Sequence, residues 1–224
     1  MTPIKSYSRT QEKRFNVMKL HISLQEHLEQ SASTHRRLTP RLVLGVRMAR
    51  FACVQLGIDP ALHRKKVFVY MENDHCIADG VIAVTYASPT NQLMQLLPYG
   101  KMAGTFVNLN TGQALRVREH PTSRETALAL LPTATSDWQA QLDAYQFMPD
   151  DLLLCWEWVT LQALPYIPSG KHKVICEGCG EYVYEYCEVE INGMVLCKPC
   201  TNNNRYKAGE NIVLTLKQLE FIGR

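Results

Sequence analysis

Val67-Phe-Val-Tyr-Met-Glu-Asn-Asp-His-Cys-Ile-Ala-Asp-Gly80 is the stretch on which the fold of this chain turns. Its first five residues are β-branched, aromatic and apolar without interruption, as in a strand buried on both faces. Asn73-Asp74 marks a turn. Cys76-Ile-Ala-Asp-Gly-Val-Ile-Ala-Val84 then reads as a helix, so Cys76 stands where a strand hands over to a helix N-terminus. Such a position stabilises anions, and cysteines placed there are often nucleophiles or metal ligands. His75 is beside it and Asp79 one turn further along. The same pattern also suits a cysteine simply packed at a strand–helix junction.

Upstream, Thr39-Pro40 is a helix start, with Thr as N-cap and Pro in the first turn. That helix runs through Leu44, Met48, Cys53 and Leu56 to Gly57 as its stop. Residues 11–33 predict another helix from the spacing of Phe15, Met18, Ile22, Leu24 and Leu28, ended by Ser31-Ala-Ser-Thr34. Downstream, strands are expected at 93–97, 102–108 and 113–118, the last two joined by a hairpin at Asn110-Thr-Gly112. Ser136 to Met148 predicts a capped helix with Trp138, Leu142 and Tyr145 on one face. Residues 152–161 predict a short turn and then a strand. Pro165-Tyr-Ile-Pro-Ser-Gly170 reads as a linker. The expected architecture is an α+β core domain over 1–166, with a mixed or antiparallel sheet and flanking helices, followed by a small cysteine-bearing module over 167–224.

Five of the eight cysteines fall between 176 and 200. Cys176-Glu-Gly-Cys179 and Cys197-Lys-Pro-Cys200 are two CxxC pairs, the spacing of a closed structural zinc site rather than of a disulfide scaffold. The four thiolates are expected to hold one Zn2+. Gly178 and Gly180 free the first turn so that backbone N–H groups reach the sulfurs. Tyr182–Tyr186 and Glu190–Leu196 read as a β-hairpin turning at Asn192-Gly193, and the second pair would open a short helix: a treble-clef pattern. Cys187 reads as a bystander.

Charge and composition limit the function classes. Hydrophobic residues make up 46% of the chain, enough for a packed core. The net charge of +3 is small. In the module, Lys171, Lys173, Lys198, Arg205 and Lys207 are offset by Glu177, Glu181, Glu185, Glu188 and Glu190, a poor match for phosphate. Nucleic acid is therefore not the expected partner, and a docking protein is the better one. No apolar run reaches the roughly 18 residues of a membrane helix. MTPIKSYSRTQEKR lacks the apolar centre of a secretory signal, so the expected compartment is the cytoplasm. The apolar stretch Leu152–Val159 predicts a homodimer. Cys53 and Cys155 are expected to be buried and inert.

Three stretches resemble the FmdE family of formylmethanofuran dehydrogenase proteins. His35-Arg-Arg-Leu-Thr-Pro-Arg-Leu-Val-Leu-Gly45-Val-Arg-Met is similar to its H-G-H-x-C-P-x-L-x-L-G-x-R. Glu72 to Gly80 is similar to E-x-x-x-C-x-x-D-A/G. Tyr99-Gly-Lys101-Met-Ala-Gly-Thr-Phe106, with Thr111-Gly112 and Arg116-Val117, is similar to the Y-G-K-x-A-x-x-F strand pair. The C-terminal cysteines resemble the finger that many members append. The likeness covers about residues 20 to 200. It implies a link to formylmethanofuran dehydrogenase and one-carbon metabolism, and a core site drawn from Cys76, His35, Asp79 and Lys101. Where the family has a second His, a Cys before Pro and a further Cys, this chain has Arg37, Thr39 and Ala87. Arg37 and Thr39 cannot replace imidazole and thiolate as ligands, so the resemblance implies a core that is non-catalytic or weakly active. Two alternatives stand beside it: an enzyme with a Cys76-centred thiolate or metal site, His35 as base and Asp79 orienting it, and a nucleic-acid-binding regulator using the finger.

Overall fold

The computed structural model describes residues 18–167 and 172–201, which divide after Tyr166 into two compact units. The larger unit is built on a five-stranded mixed sheet in the order β2-β1-β3-β4-β5. Its strands are β1 (Val67–Met71), β2 (Met94–Leu96), β3 (Ala103–Asn108), β4 (Ala114–Glu119) and β5 (Leu154–Val159). Only the β1–β2 pair is parallel; the other three pairs are antiparallel.

Register sorts the side chains into two faces. Val69 is opposite Phe106, Phe106 opposite Leu115, and Leu115 opposite Trp158, so all four share a face. The first three are fully buried. The other face carries Tyr70, Thr105, Arg116 and Glu157 in the next row.

The buried face packs beneath helix α2 (Pro40–Gln55), on which Val43, Leu44, Val46, Met48 and Ala52 are buried. Thr39 caps that helix, its Oγ1 accepting from the Leu42 N–H at 3.2 Å, and Gly57 lies just beyond its end with φ of 65°. Helix α3 (Cys76–Thr85) lies against α2 at unusually close range. A Cβ on Gly45 would stand 2.1 Å from the carbonyl oxygen of Ile77, and one on Gly80 would stand 2.3 Å from that of Leu42. Two glycines, one per helix, thus allow backbone-to-backbone packing.

Four other helices complete the described part of the unit. In α1 (Leu24–His35) Ser23 and Glu26 form a reciprocal capping box. The helix expected over 11–33 therefore needs correction. Residues 11–17 lie outside the described residues, and 18–23 are not helical. There Leu20 is buried, the His21 N–H donates to Asp59 at 2.6 Å, and the Ile22 carbonyl accepts from Arg50, so tertiary contacts hold this stretch out of the helix. Nor does Ser31-Ala-Ser-Thr34 stop α1: Ser31 is buried with its hydroxyl on the His27 carbonyl, and the helix continues to His35. Helix α4 (Ser123–Leu130) has no counterpart in the sequence reading. Helix α5 (Asp137–Phe147) is capped by Ser136, but Trp138 is 45% exposed while Tyr145 is buried. A single turn, α6 (Asp150–Leu153), leads into β5.

Arg47 ties α2 to this last region. Buried, it donates to the carbonyls of Tyr145 at 2.7 Å and Met148 at 2.5 Å, and to Asp150 at 2.7 Å. Among the described residues no helix is long and apolar enough to cross a membrane.

Among the described residues the smaller unit carries two hairpins. Strand β6 (Lys173–Ile175) pairs with β7 (Tyr182–Tyr184), and β8 (Glu188–Ile191) pairs with β9 (Met194–Cys197). The expected single hairpin between the cysteine pairs is thus corrected: Tyr182–Tyr184 pairs backwards with the strand before Cys176. Asn192 and Gly193, with φ of 52° and 79°, turn β8 into β9. A 3-10 turn, Lys198–Thr201, follows.

Candidate functional site

In the smaller unit the first cysteine pair lies between β6 and β7, and the second runs from the end of β9 into the 3-10 turn. The tight first turn is closed by the Gly180 N–H on the Cys176 carbonyl at 2.8 Å, with Gly180 at φ of 78°. Gly178 lets Cys200 approach: a Cβ there would lie 3.1 Å from its Sγ. The Sγ atoms of Cys176, Cys179, Cys197 and Cys200 all lie within 4.8 Å of one another, and Cys179 and Cys197 are 3.8 Å apart. All four are free thiols. In a tetrahedron with metal–sulfur bonds of about 2.3 Å the sulfurs stand about 3.8 Å apart, so this donor set fits one thiophilic ion.

The electrostatics agree. The Cys197 N–H donates to Cys176 Sγ at 3.1 Å and holds that thiol down at about 6. Hydrogen bonds that the Cys200 thiol donates to the neighbouring sulfurs push it up to about 12. Four sulfurs so close compete for protons, and a divalent cation removes the competition. Cys187 is exposed and points to the Glu185 carbonyl.

In the larger unit, the close approach of α2 and α3 brings the end of α1 and the starts of α2 and α3 together. His35 and Asp79 form an ion pair, Nδ1 to Oδ2, at 3.2 Å. They line a shallow depression with Arg41, His75 and Cys76. His75 is largely exposed and pairs only with its neighbour Asp74, at 3.6 Å. Cys76 opens α3 as the sequence pattern requires. Lys101 lies elsewhere: its ammonium stands 6.0 Å from the Tyr99 ring centre, and it is absent from the walls of the depression. Thr39 is spent on capping α2, and Ala87 is fully buried. Among the described residues, the four C-terminal cysteines are the only group of three or more His, Cys, Asp or Glu able to share one ion.

The other residues of the three motifs serve the scaffold. Buried Glu72 receives a bidentate pair from Arg116, at 2.7 and 2.9 Å, and this ion pair raises the guanidinium's affinity for its proton. Gly45 and Gly80 make the helix contact, and Arg47 the buried tie to α5. Cys53 is fully buried, and burial pushes its thiol up to about 12. Cys155 is only half-buried, which corrects the expectation for it, because β5 is the edge strand and its polar face is open.

On the other side of Cys76 lies a second, deeper cavity of about 320 Å³ between α2, α5 and the ends of β3 and β4. Its walls include Arg41, Glu119, Arg124, Trp138 and Tyr145, none of which the sequence reading singled out for function. The signal was weak: Trp138 read as one of a core stripe, and the helix bearing Arg124 was not read.

The family model FmdE, described as molybdenum formylmethanofuran dehydrogenase operon, matches residues 34–154. The chain belongs to the FmdE family. The matched segment contains all three motif stretches of this FmdE protein and ends before its small unit. A crystal structure of a tungsten formylmethanofuran dehydrogenase FmdE-like protein from Syntrophus aciditrophicus has a similar fold. Its TM-score is 0.57 at 21% identity, over 84% of this chain and 96% of that one. No curated protein matches the chain.

Proposed function

We propose that this FmdE protein is a binding protein with a structural zinc module, its core domain being non-catalytic or weakly active. The observation that carries the reading is the contrast in ligand supply. Four thiols converge in the small unit. In the core His35 is paired with Asp79, and Thr39 caps a helix in place of a ligand. Zinc is the ion of choice for a closed set of four cysteines. The hairpin through β8 and β9, followed by a turn carrying Cys200, supports a treble-clef arrangement. The module then serves folding and protein docking.

The family description, which names the molybdenum formylmethanofuran dehydrogenase operon, supports a role linked to that enzyme and to one-carbon metabolism. Trp156 and Trp158, 43% and 52% exposed on the edge strand β5, support a homodimer formed there. Sedimentation at micromolar concentration should return twice the chain mass.

Elemental analysis tests the main reading. The chain purified without chelator should hold one zinc, and Cys179→Ser none. A metal ion retained after all four cysteines of the module are replaced by Ser would place a second site in the core and overturn it.

A second reading, a thiol enzyme, is favoured by the His35–Asp79 pair, which is the base-and-orienter half of a Cys-His-Asp arrangement. Hydrolysis of an activated thioester abolished by Cys76→Ser and by His35→Gln would establish it.

A further inference from the structure

We propose that the cavity beside Cys76 binds a small organic carboxylate: a flat apolar body carrying one negative charge. The inference rests on the reading of the core as a binding domain and names the ligand class for it. The cavity holds about 320 Å³, near the lower end of small-molecule sites, enough for about ten to fifteen heavy atoms. Pro40, Leu44, Met102 and Trp138 give it apolar walls. Leu44 is fixed in the core, whereas Trp138 is 45% exposed and offers an indole for contact with a ring.

The charge of the ligand follows from the rim. Arg41 comes from the first turn of α2 and Arg124 from the first turn of α4. Glu119 is the one acid in the wall, and it is already engaged. It accepts from the Tyr145 hydroxyl at 2.9 Å and from the Ser123 hydroxyl at 3.0 Å, with Arg124 Nε at 3.6 Å. Burial pushes Tyr145 up to about 12, so it remains a neutral donor. Two guanidiniums less one carboxylate leave a single positive charge, which suits a monoanion better than a phosphate dianion. The first turns of α2, α3 and α4 all border the space and add the same sign of field. A metal ion is not the occupant, since Cys76 is the one soft ligand in the wall. A free cation would find Glu119 already taken.

The test is isothermal titration of the full chain with 1-naphthoate as probe and the neutral 1-naphthalenemethanol as control. The carboxylate should bind one to one with a Kd of about 1 mM or tighter, and the alcohol at least about tenfold more weakly. Arg41→Gln and Arg124→Gln should each weaken binding about fivefold, the scale of a partly exposed charge pair. Trp138→Ala should weaken it at least about tenfold. All three side chains are substantially exposed, and circular dichroism confirms that each variant folds. The proposal is overturned by absence of saturable binding at several millimolar, by equal affinity for the alcohol, or by naphthoate affinity unchanged in the Arg41→Gln/Arg124→Gln double variant or in Trp138→Ala. A metal retained after all four cysteines of the module are replaced by Ser would sink the proposed function while leaving naphthoate binding in place. Loss of naphthoate binding would leave the metal count unchanged, so the two failures are distinguishable.

Discussion

In the larger unit, Val69, Phe106 and Leu115 line up across three strands beneath α2, within a continuous buried cluster running from Leu20 to Leu154. In the smaller unit the buried cluster among the described residues is Cys176, Val183 and Leu196, with Val174, Cys197 and Cys200 against it. Half of those six are sulfur ligands. The described part of this unit buries too little apolar surface to offset the chain entropy of ordering it, so an ion held by the four thiols would supply what packing does not. The two regions are therefore expected to be vulnerable in different ways: the core to changes of volume and buried polarity, the module to loss of an ion bound by its four thiols.

Gly80→Ala tests the core half most severely. The added methyl meets the Leu42 carbonyl at 2.3 Å, and backbone cannot yield as a side chain can. Destabilisation of roughly 4 kcal/mol or more is expected, with thermal unfolding of the core falling on the order of 10 °C. The zinc content should be unchanged. A core that tolerates the alanine would break the claim that two glycines set the α2–α3 contact. Arg47→Ala should come next, at about 3–5 kcal/mol, because it strands the Tyr145 and Met148 carbonyls away from water.

A pH effect separates the regions further. His27 is buried, and burial, with the Arg50 guanidinium adding to it, holds its pKa down at about 4 from an ordinary value near 6.5. Its Nδ1 accepts from Arg50 at 2.6 Å. The folded core therefore binds fewer protons than the unfolded chain between those values. The stabilisation is fully present above pH 6.5 and is lost as pH falls towards 4, roughly 3 kcal/mol in all. Denaturant titrations at pH 7 and pH 4.5 should show it, and His27→Gln, which keeps an acceptor for Arg50, should flatten that part of the slope. Smallest of all, His35→Ala should cost less than about 1 kcal/mol, since the His35–Asp79 pair is partly exposed. A larger loss would mean that the pair holds the site together rather than merely lining it.

How much of this was legible beforehand differs between the same two regions. The strand–helix passage from Val67 to Val84 was readable because local propensity and tertiary role agree there: a buried strand, a turn, then a helix. Thr39-Pro40 and Ser136 mark their helices for the same reason. The start of α1 was not readable, because Met18 and Ile22 fall at helical spacing while contacts distant in sequence, from His21 to Asp59 and from Ile22 to Arg50, hold that stretch out of the helix. In the module the ligands were plain from their spacing. The strand partners were not, since Tyr182–Tyr184 alternates equally well against either neighbour and only the closed turn at Gly180 decides. The cavity beside Cys76 was invisible because its walls come from five separate stretches, and no short-range pattern joins Arg41 to Trp138.

Hydrogen–deuterium exchange on the intact chain, before and after a thiophilic chelator, tests the central claim most directly. The account predicts that removing one zinc per chain abolishes protection across 172–201 while peptides from 24 to 159 exchange as before. Protection that persists in 172–201 without the ion, or a loss of protection in the core when the ion leaves, would contradict it.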